Sequence, residues 1–277
     1  RLNILNKYVS HFIICEAAFN HKGISKKLKF DIKKFPKFQD KIIYLPLEKQ
    51  PLNLYEIKIG DTEHAKNSKI LDNALNRENY QRNYLARELK EFSDDDLIIV
   101  GDLDEIPNLE NFKYLNKITV FNQKMFYYKF NLIYPNFLWA GSKLCKKKHL
   151  LSPQWLRNIK AKKYPFWRID TFFSKNRYIN KLFIQNGGWH FSNIKNADDL
   201  ELKLKSYLHH RDYEEEELGN NKIVELINKN ETIYDMFGDK KSKKYGDDKR
   251  KKLEKYDFKK LPQFIQNNKN KFKNWID

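Results

Sequence analysis

The sequence predicts an α/β protein built around a mostly parallel central sheet. Three observations carry that expectation. Short apolar runs rich in β-branched residues alternate with stretches of helical periodicity, the order expected of βα units. The run Leu97 to Val100 is bounded by turn signals and reads as a strand buried on both faces, as in a parallel sheet. At 277 residues the chain can bury a large core, and α/β architectures of this size often form one domain.

The elements follow in order. "RLNILNKYV" places Leu2, Leu5, Tyr8 and Val9 at helical spacing and reads as the second half of a helix. A natural N-terminus upstream of Arg1 is therefore expected, a segment that could hold a signal or anchor. "HFIICEAAF" reads as a buried strand ending at Glu16, and "DKIIYLPL" as another ending near Leu45. Residues 68 to 92 form a helix with Ile70, Leu71, Ala74, Leu75, Tyr84, Leu85 and Leu89 for one face. The strand Leu97 to Val100 follows. "ITVFNQKMFYYKFNLIY", 118 to 134, alternates loosely and is aromatic-rich, which predicts an antiparallel portion or edge. "NGGWHF", 186 to 191, follows the strand-like "KLFIQ". From Asp198, a predicted N-cap, Leu200, Leu204, Tyr207 and Leu208 mark an amphipathic helix. The Lys-rich segment 239 to 260 holds few apolar residues and reads as solvated surface. The expected division is a catalytic domain over 1–235 and a basic helical C-terminal appendage over 236–277.

The formal net charge of +18 points to a partner bearing phosphate: nucleic acid, an anionic membrane or a nucleotide-activated substrate. Abundant Lys, Asn, Ile, Phe and Tyr with few Gly and Pro match the codon usage of an AT-rich genome, so the charge discriminates weakly. Cys15 and Cys145 are the only cysteines and lie outside any CxxC. Neither a disulfide framework nor a cysteine metal site is indicated, and a reducing compartment fits. No apolar stretch approaches the ~20 residues that a membrane span requires.

The chemistry concentrates in "DDDLIIVGDLDEIP", 94 to 107, where Asp102, Asp104 and Glu105 follow the apolar run directly. In open α/β sheets, ligands bind at the C-terminal ends of strands. On an extended backbone Asp102 and Asp104 point to one side, and their repulsion costs about 4 kcal/mol at ~4 Å and an effective dielectric of 20. A divalent cation would remove that cost. A solvated acidic turn is the plainer reading of a lone DxD, and the placement after a buried strand shifts the balance toward a ligand site.

The order "ENYQR", "GDLDEIP", "YYKFNL", "WAG", "SPQWLR", "GGWHFS" and, near the end, "LPQFIQNNKNKF" resembles glycosyltransferase family 17, which includes the β-1,4-mannosyl-glycoprotein β-1,4-N-acetylglucosaminyltransferase. The resemblance spans nearly the whole chain. It implies a GT-A type, Rossmann-like fold and an inverting transfer from a sugar nucleotide, UDP-N-acetylglucosamine, to a glycan acceptor hydroxyl. Such proteins usually carry one more strand before the first helix, and it is missing here.

The same resemblance implies that Asp104 binds Mn²⁺ or Mg²⁺ directly, with Asp102 contacting ribose or a metal-bound water. His190 of "GGWHF" is the candidate third ligand, and an imidazole suits Mn²⁺ better than Mg²⁺; the alternative is a core histidine beside Trp189. Arg82, on the helix before the DxD strand, suits bidentate contact with a diphosphate, against a salt bridge to Glu78. Arg157 is a second cation that could face the leaving group. Glu16 either reaches the nucleotide or caps its strand. Trp139, Tyr127, Tyr128 and Trp189 are candidate acceptor platforms, and His209 or His210 a contact to acceptor or phosphates. Asp170 in "WRID" is the first candidate for the base that takes the acceptor proton, and Glu105 the competitor.

Two other classes fit less well. A phosphatase of the haloacid dehalogenase type wants Thr or Val two residues after the second Asp, where Ile106 stands before Pro107. A nucleic-acid-binding protein would cluster its lysines with stacking aromatics on one face, whereas here they are spread along the chain. No nucleic-acid partner is expected. The expected localisation is the cytoplasm or the cytoplasmic surface of an anionic membrane, met through the basic surface.

Overall fold

The structure, a computed structural model, describes residues 1–115, 117–165, 167, 168, 171, 173–177, 180–206, 213, 214, 217–235 and 250–277. The strands among them are β1 (Phe12–Ala17), β2 (Ile42–Leu47), β3 (Leu97–Val100), β4 (Glu105–Pro107), β5 (Ile118–Tyr127), β6 (Leu132–Lys146), β7 (Lys181–Ile184), β8 (Gly188–Ser192) and β9 (Glu254–Lys255). The α-helices are α1 (Leu2–Leu5), α2 (Glu63–Tyr84), α3 (Pro153–Asn158), α4 (Ala197–Ser206), α5 (Gly219–Asn228) and α6 (Gln263–Asn267). None is long and apolar enough to cross a membrane. The chain divides into two compact units, one of Arg1–Ser10, Glu88–Ile194 and Lys252–Asp277, the other of His11–Arg87 and Lys195–Lys251.

The first unit is built on a seven-stranded sheet of order β3-β6-β5-β8-β4, with β7 also on β5 and β9 also on β6. It is mixed, not mostly parallel. β5 runs parallel to β7 and β8, while β3–β6, β5–β6, β4–β8 and β6–β9 are antiparallel. The aromatic-rich stretch forms the antiparallel β5–β6 pair, as its alternation predicts. β3 is not the doubly buried parallel strand expected of it. Among the described residues it pairs only with β6, Leu97 is 43% exposed, and of the four strand residues only Val100 at the C-terminal end is buried. A four-residue apolar run is compatible with a central strand or with an edge strand covered at one end, and periodicity does not separate them.

Val100, Ile118, Val120, Cys145, Trp155, Leu156 and Ile159 form a buried cluster beneath this sheet. α3 reaches it through Trp155 and Leu156. Its start is dictated locally: Ser152 Oγ accepts from Trp155 N at 3.1 Å, and Pro153 occupies the first turn, where its missing N–H costs nothing. Burying Leu156 contributes about 1.5–3 kcal/mol, so the helix is anchored by one face while Arg157 extends from it.

Lys252–Asp277 falls within this unit, and residues 236–249 of the expected appendage lie outside the described residues. β9 pairs Leu132 with Lys255 and Ile133 with Glu254. Asn131 closes the segment by donating Nδ2–H to Asp277 O at 2.9 Å and accepting from Asp277 N at 2.7 Å. Leu253, Leu261 and Ile265 are all buried. Of these, Leu253 alone lies in the stretch 239–260 that reads as solvated, and residues 239–249 of that stretch lie outside the described residues.

The second unit pairs β1 and β2 in parallel, Phe12 with Ile42 through Ala17 with Leu47. The parallel pairing read from those two runs is realised here. Ala17, Phe19 and Leu47 form its cluster, with Cys15, Tyr80 and Tyr84 against them. α2 begins five residues before the predicted helix because Thr62 Oγ1 accepts from Ala65 N. It gives way to a 3-10 turn over Leu85–Glu91. α4 starts where Asn196 Oδ1, rather than Asp198, accepts a first-turn N–H, that of Asp199 at 2.8 Å. Leu200 and Leu204 of α4 are buried, as are Ile223 and Leu226 of α5.

Candidate functional site

Between β3 and β4 the chain does not stay extended. Residues 103 and 104 form a turn, closed by Glu105 N donating to Asp102 O at 3.1 Å and by Glu105 Oε2 accepting from Asp102 N at 3.1 Å. The aspartates therefore diverge to different partners, and the repulsion expected of them on an extended strand is relieved by separate counter-groups.

Glu105 and Asp102 share Arg157. Its guanidinium forks onto Glu105, Nη2 to Oε1 at 2.5 Å and Nη1 to Oε2 at 3.0 Å. Nη2 also reaches Asp102 Oδ2 at 2.8 Å, and Nη1 reaches Gly141 O at 2.8 Å. Glu105 is completely buried. It accepts further bonds from Trp139 Nε1 at 2.6 Å and Ser142 Oγ at 3.4 Å, so both of its oxygens are engaged. Burial disfavours the charged guanidinium of Arg157, but Glu105 and Asp102 outweigh it and push its pKa above the ordinary value. The cation stays charged and fixed. Arg1 adds a second guanidinium, donating to Asp102 O; burial lowers its pKa despite the pull of Glu105, Asp102 and Asp104.

Asp104 faces His190 instead. β4 pairs antiparallel with β8 so that Glu105 stands opposite His190, and Phe191 N donates to Asp104 O at 2.9 Å. This register brings His190 Nε2 to 3.4 Å from Asp104 Oδ2. The imidazole is 7% exposed and its ring lies 5.1 Å from that of Trp139. Gly188 makes the register attainable: its φ is +120°, and a Cβ there would sit 2.1 Å from Ile106 O.

Asp104 and His190 fit as two neighbouring ligands of a divalent cation. Adjacent ligands of an octahedral ion at about 2.1 Å lie roughly 3 Å apart, close to the separation observed. The carboxylate is 34% exposed, leaving an open side for other oxygen ligands. Asp102 is turned away to Arg157, and among the described residues no group of three or more His, Cys, Asp and Glu is arranged to hold a metal. The described residues thus offer two candidate ligands and no closed cage. His190 Nδ1 is buried without a hydrogen-bond partner.

The remaining predicted residues are distributed as follows. Trp139 lines the site, its indole N–H on Glu105 and its ring beside His190. Tyr127 is wholly buried, packed edge-on at 4.9 Å against Tyr128; both belong to the core and present no face to a sugar. Trp189 is partly exposed, with Nε1 3.4 Å from Lys260 O. Arg82 belongs to the second unit and pairs with Glu78 one helical turn away at 2.8 Å. Glu16, also in that unit, accepts from Lys29 N and Phe30 N at 2.9 Å and from Tyr44 Oη at 3.1 Å. Burial alone would raise its pKa, but these bonds hold it below the usual carboxylate value, and they tie down the loop after β1. Asp170, His209 and His210 lie outside the described residues.

Three contributors escape sequence reasoning: Arg1, Ser142 and Lys143. The Ala140-Gly141-Ser142 step, small residues inside a bulky strand, is the one available signal: a Cβ on Gly141 would meet Gln123 Oε1 at 1.9 Å, and the Gly141 carbonyl accepts from Arg157. Lys143 is buried, donating Nζ–H to Arg157 O and to Ile159 O, the latter at 2.7 Å. It secures the C-terminal end of α3 and with it the root of Arg157. Burial, with the nearby Arg157 charge, lowers its pKa to about 7.

Comparison of the whole sequence establishes the class, a glycosyltransferase. The model of glycosyltransferase family 17 matches residues 1–276, and the chain belongs to that family. No curated protein and no solved structure matches it.

Proposed function

We propose that this glycosyltransferase is an inverting, metal-dependent enzyme of GT-A type that moves N-acetylglucosamine from UDP-N-acetylglucosamine to a glycan hydroxyl, forming a β linkage. The observation that carries the reading is the Asp104–His190 pair, two metal-ligand groups 3.4 Å apart with an open side.

In this reading Asp104 and His190 would hold Mn²⁺ or Mg²⁺, which would supply Lewis-acid stabilisation of the charge on a diphosphate leaving group. Arg157 keeps Asp102 oriented, and Asp102 then contacts the donor's ribose or a metal-bound water. Glu105 serves as a positioning residue, because a carboxylate accepting from Arg157, Trp139, Ser142 and Asp102 N has little capacity left for a substrate proton. The base role falls to Asp170. As the anomeric C–O bond to phosphate breaks and the acceptor oxygen attacks from the opposite face, Asp170 takes the acceptor proton, a contribution of about 10²–10⁴-fold.

Calorimetric titration of UDP-N-acetylglucosamine with and without Mn²⁺ tests the reading. Mn²⁺-dependent binding in the wild type that disappears in Asp104→Asn is the expected result. Binding that is indifferent to Mn²⁺ and to Asp104 refutes it.

A further inference from the structure

We propose that the second unit carries a phosphate-binding cleft of its own, centred on Arg77. The cleft, of about 250 Å³, is lined by Arg77, Lys26, Asn20, Gln81, Ser206 and Phe19, together with His21. Among the described residues no acidic side chain lines it.

Arg77 projects from α2 into the loop that follows β1. It is held entirely by neutral groups: Nε donates to Gln50 Oε1 at 2.6 Å and Nη1 to His21 O at 3.0 Å. Gln50 in turn donates Nε2–H to Gly23 O at 3.1 Å. The loop is shaped around the guanidinium. Asn20 N bonds Ile24 O, Gly23 N bonds Asn20 O, and Asn20 Oδ1 accepts from Ile24 N, each at 2.9 Å. Gly23 has φ +87°, which favours glycine, and a Cβ there would lie 2.5 Å from Arg77 Nη2 and displace the guanidinium.

Among the described residues Arg77 has no carboxylate partner, and Nη2 has no acceptor; burial accordingly lowers its pKa. A guanidinium fixed in place and left without a counter-charge is the arrangement that receives an oxyanion by a charge-assisted bond. Lys26 supplies a second cation, tied only loosely to Glu16 at 3.6 Å. Two cations over neutral polar groups match a dianionic phosphate better than a monoanionic carboxylate.

The test is thermal unfolding of the full chain titrated with inorganic phosphate at constant ionic strength, without divalent metal. The expected result is saturable stabilisation of the wild type that sulfate and chloride do not reproduce. Half-saturation should require about tenfold more phosphate or worse in Arg77→Gln and several-fold more in Lys26→Gln, a partly exposed position where the fold is not at stake. Asp104→Asn should respond as the wild type does. UMP and N-acetylglucosamine 1-phosphate are run as competitors, and the one effective below the phosphate half-saturation identifies the carrier. Unchanged half-saturation in Lys26→Gln and in any folded Arg77 variant, or loss of the response in Asp104→Asn, overturns the proposal.

Discussion

Arg157 Nη2 stands 2.8 Å from Asp102 Oδ2 and 2.5 Å from Glu105 Oε1, joining two carboxylates of the acidic turn through one nitrogen. This relationship sorts the three acids by task. Asp102 and Glu105 are committed to the arginine, and Asp104 is left to His190.

Removing the arginine should therefore be costly. Arg157→Met leaves Glu105 completely buried with an uncompensated charge, a situation worth about 3–5 kcal/mol. Urea unfolding should show that loss, and the double variant Arg157→Met, Glu105→Gln should recover at least half of it. A loss in the double variant equal to the sum of the losses in Arg157→Met and Glu105→Gln would show that the pair is not coupled.

At the carboxylate–imidazole pair, Asp104→Asn keeps the shape and removes the charge. Metal-dependent donor binding should fall beyond detection while the urea midpoint is unchanged. His190→Ala should weaken Mn²⁺-supported binding less, by about 10–100-fold, because oxygen ligands remain. Undiminished binding in Asp104→Asn, read by calorimetry, contradicts the metal assignment.

Asp170→Asn and Glu105→Gln should part company kinetically. The first should retain donor and metal affinity and lose about 10²-fold or more in kcat, since what it removes acts chiefly in the transition state. The second should disturb affinity and stability together, because Glu105 orders the turn. Full kcat in Asp170→Asn would exclude it as the base.

Lys143 should leave a signature in alkaline stability. Its folded pKa, about 7, lies below its ordinary 10.5, so between those values the unfolded chain binds more protons than the folded one. Its contribution to stability consequently rises with pH across that window. The difference between wild type and Lys143→Met in urea midpoint should change steadily in the wild type's favour from pH 7 to 10. A pH-independent difference would mean that the two carbonyl acceptors keep Lys143 charged.

Local signals were enough for much of this molecule. The apolar runs of β1, β2 and β5, the amphipathic stretch of α4, and the cluster of acids after Val100 are all legible because periodicity and composition act over a few neighbouring residues. The family, too, is written in the motifs from "ENYQR" to "GGWHFS". Pairing is different. Whether Leu97–Val100 is a central or an edge strand depends on β6, some 40 residues away, and Glu105 acquires its partners from β6 and α3. Arg157 reads as free to face a diphosphate until tertiary contact gives it two carboxylates, and Tyr127 as a sugar platform until packing buries it. Charge, hydrogen-bonding capacity and hydrophobicity belong to each residue in the chain, but which group satisfies them is set by long-range register, and no short window of sequence encodes that.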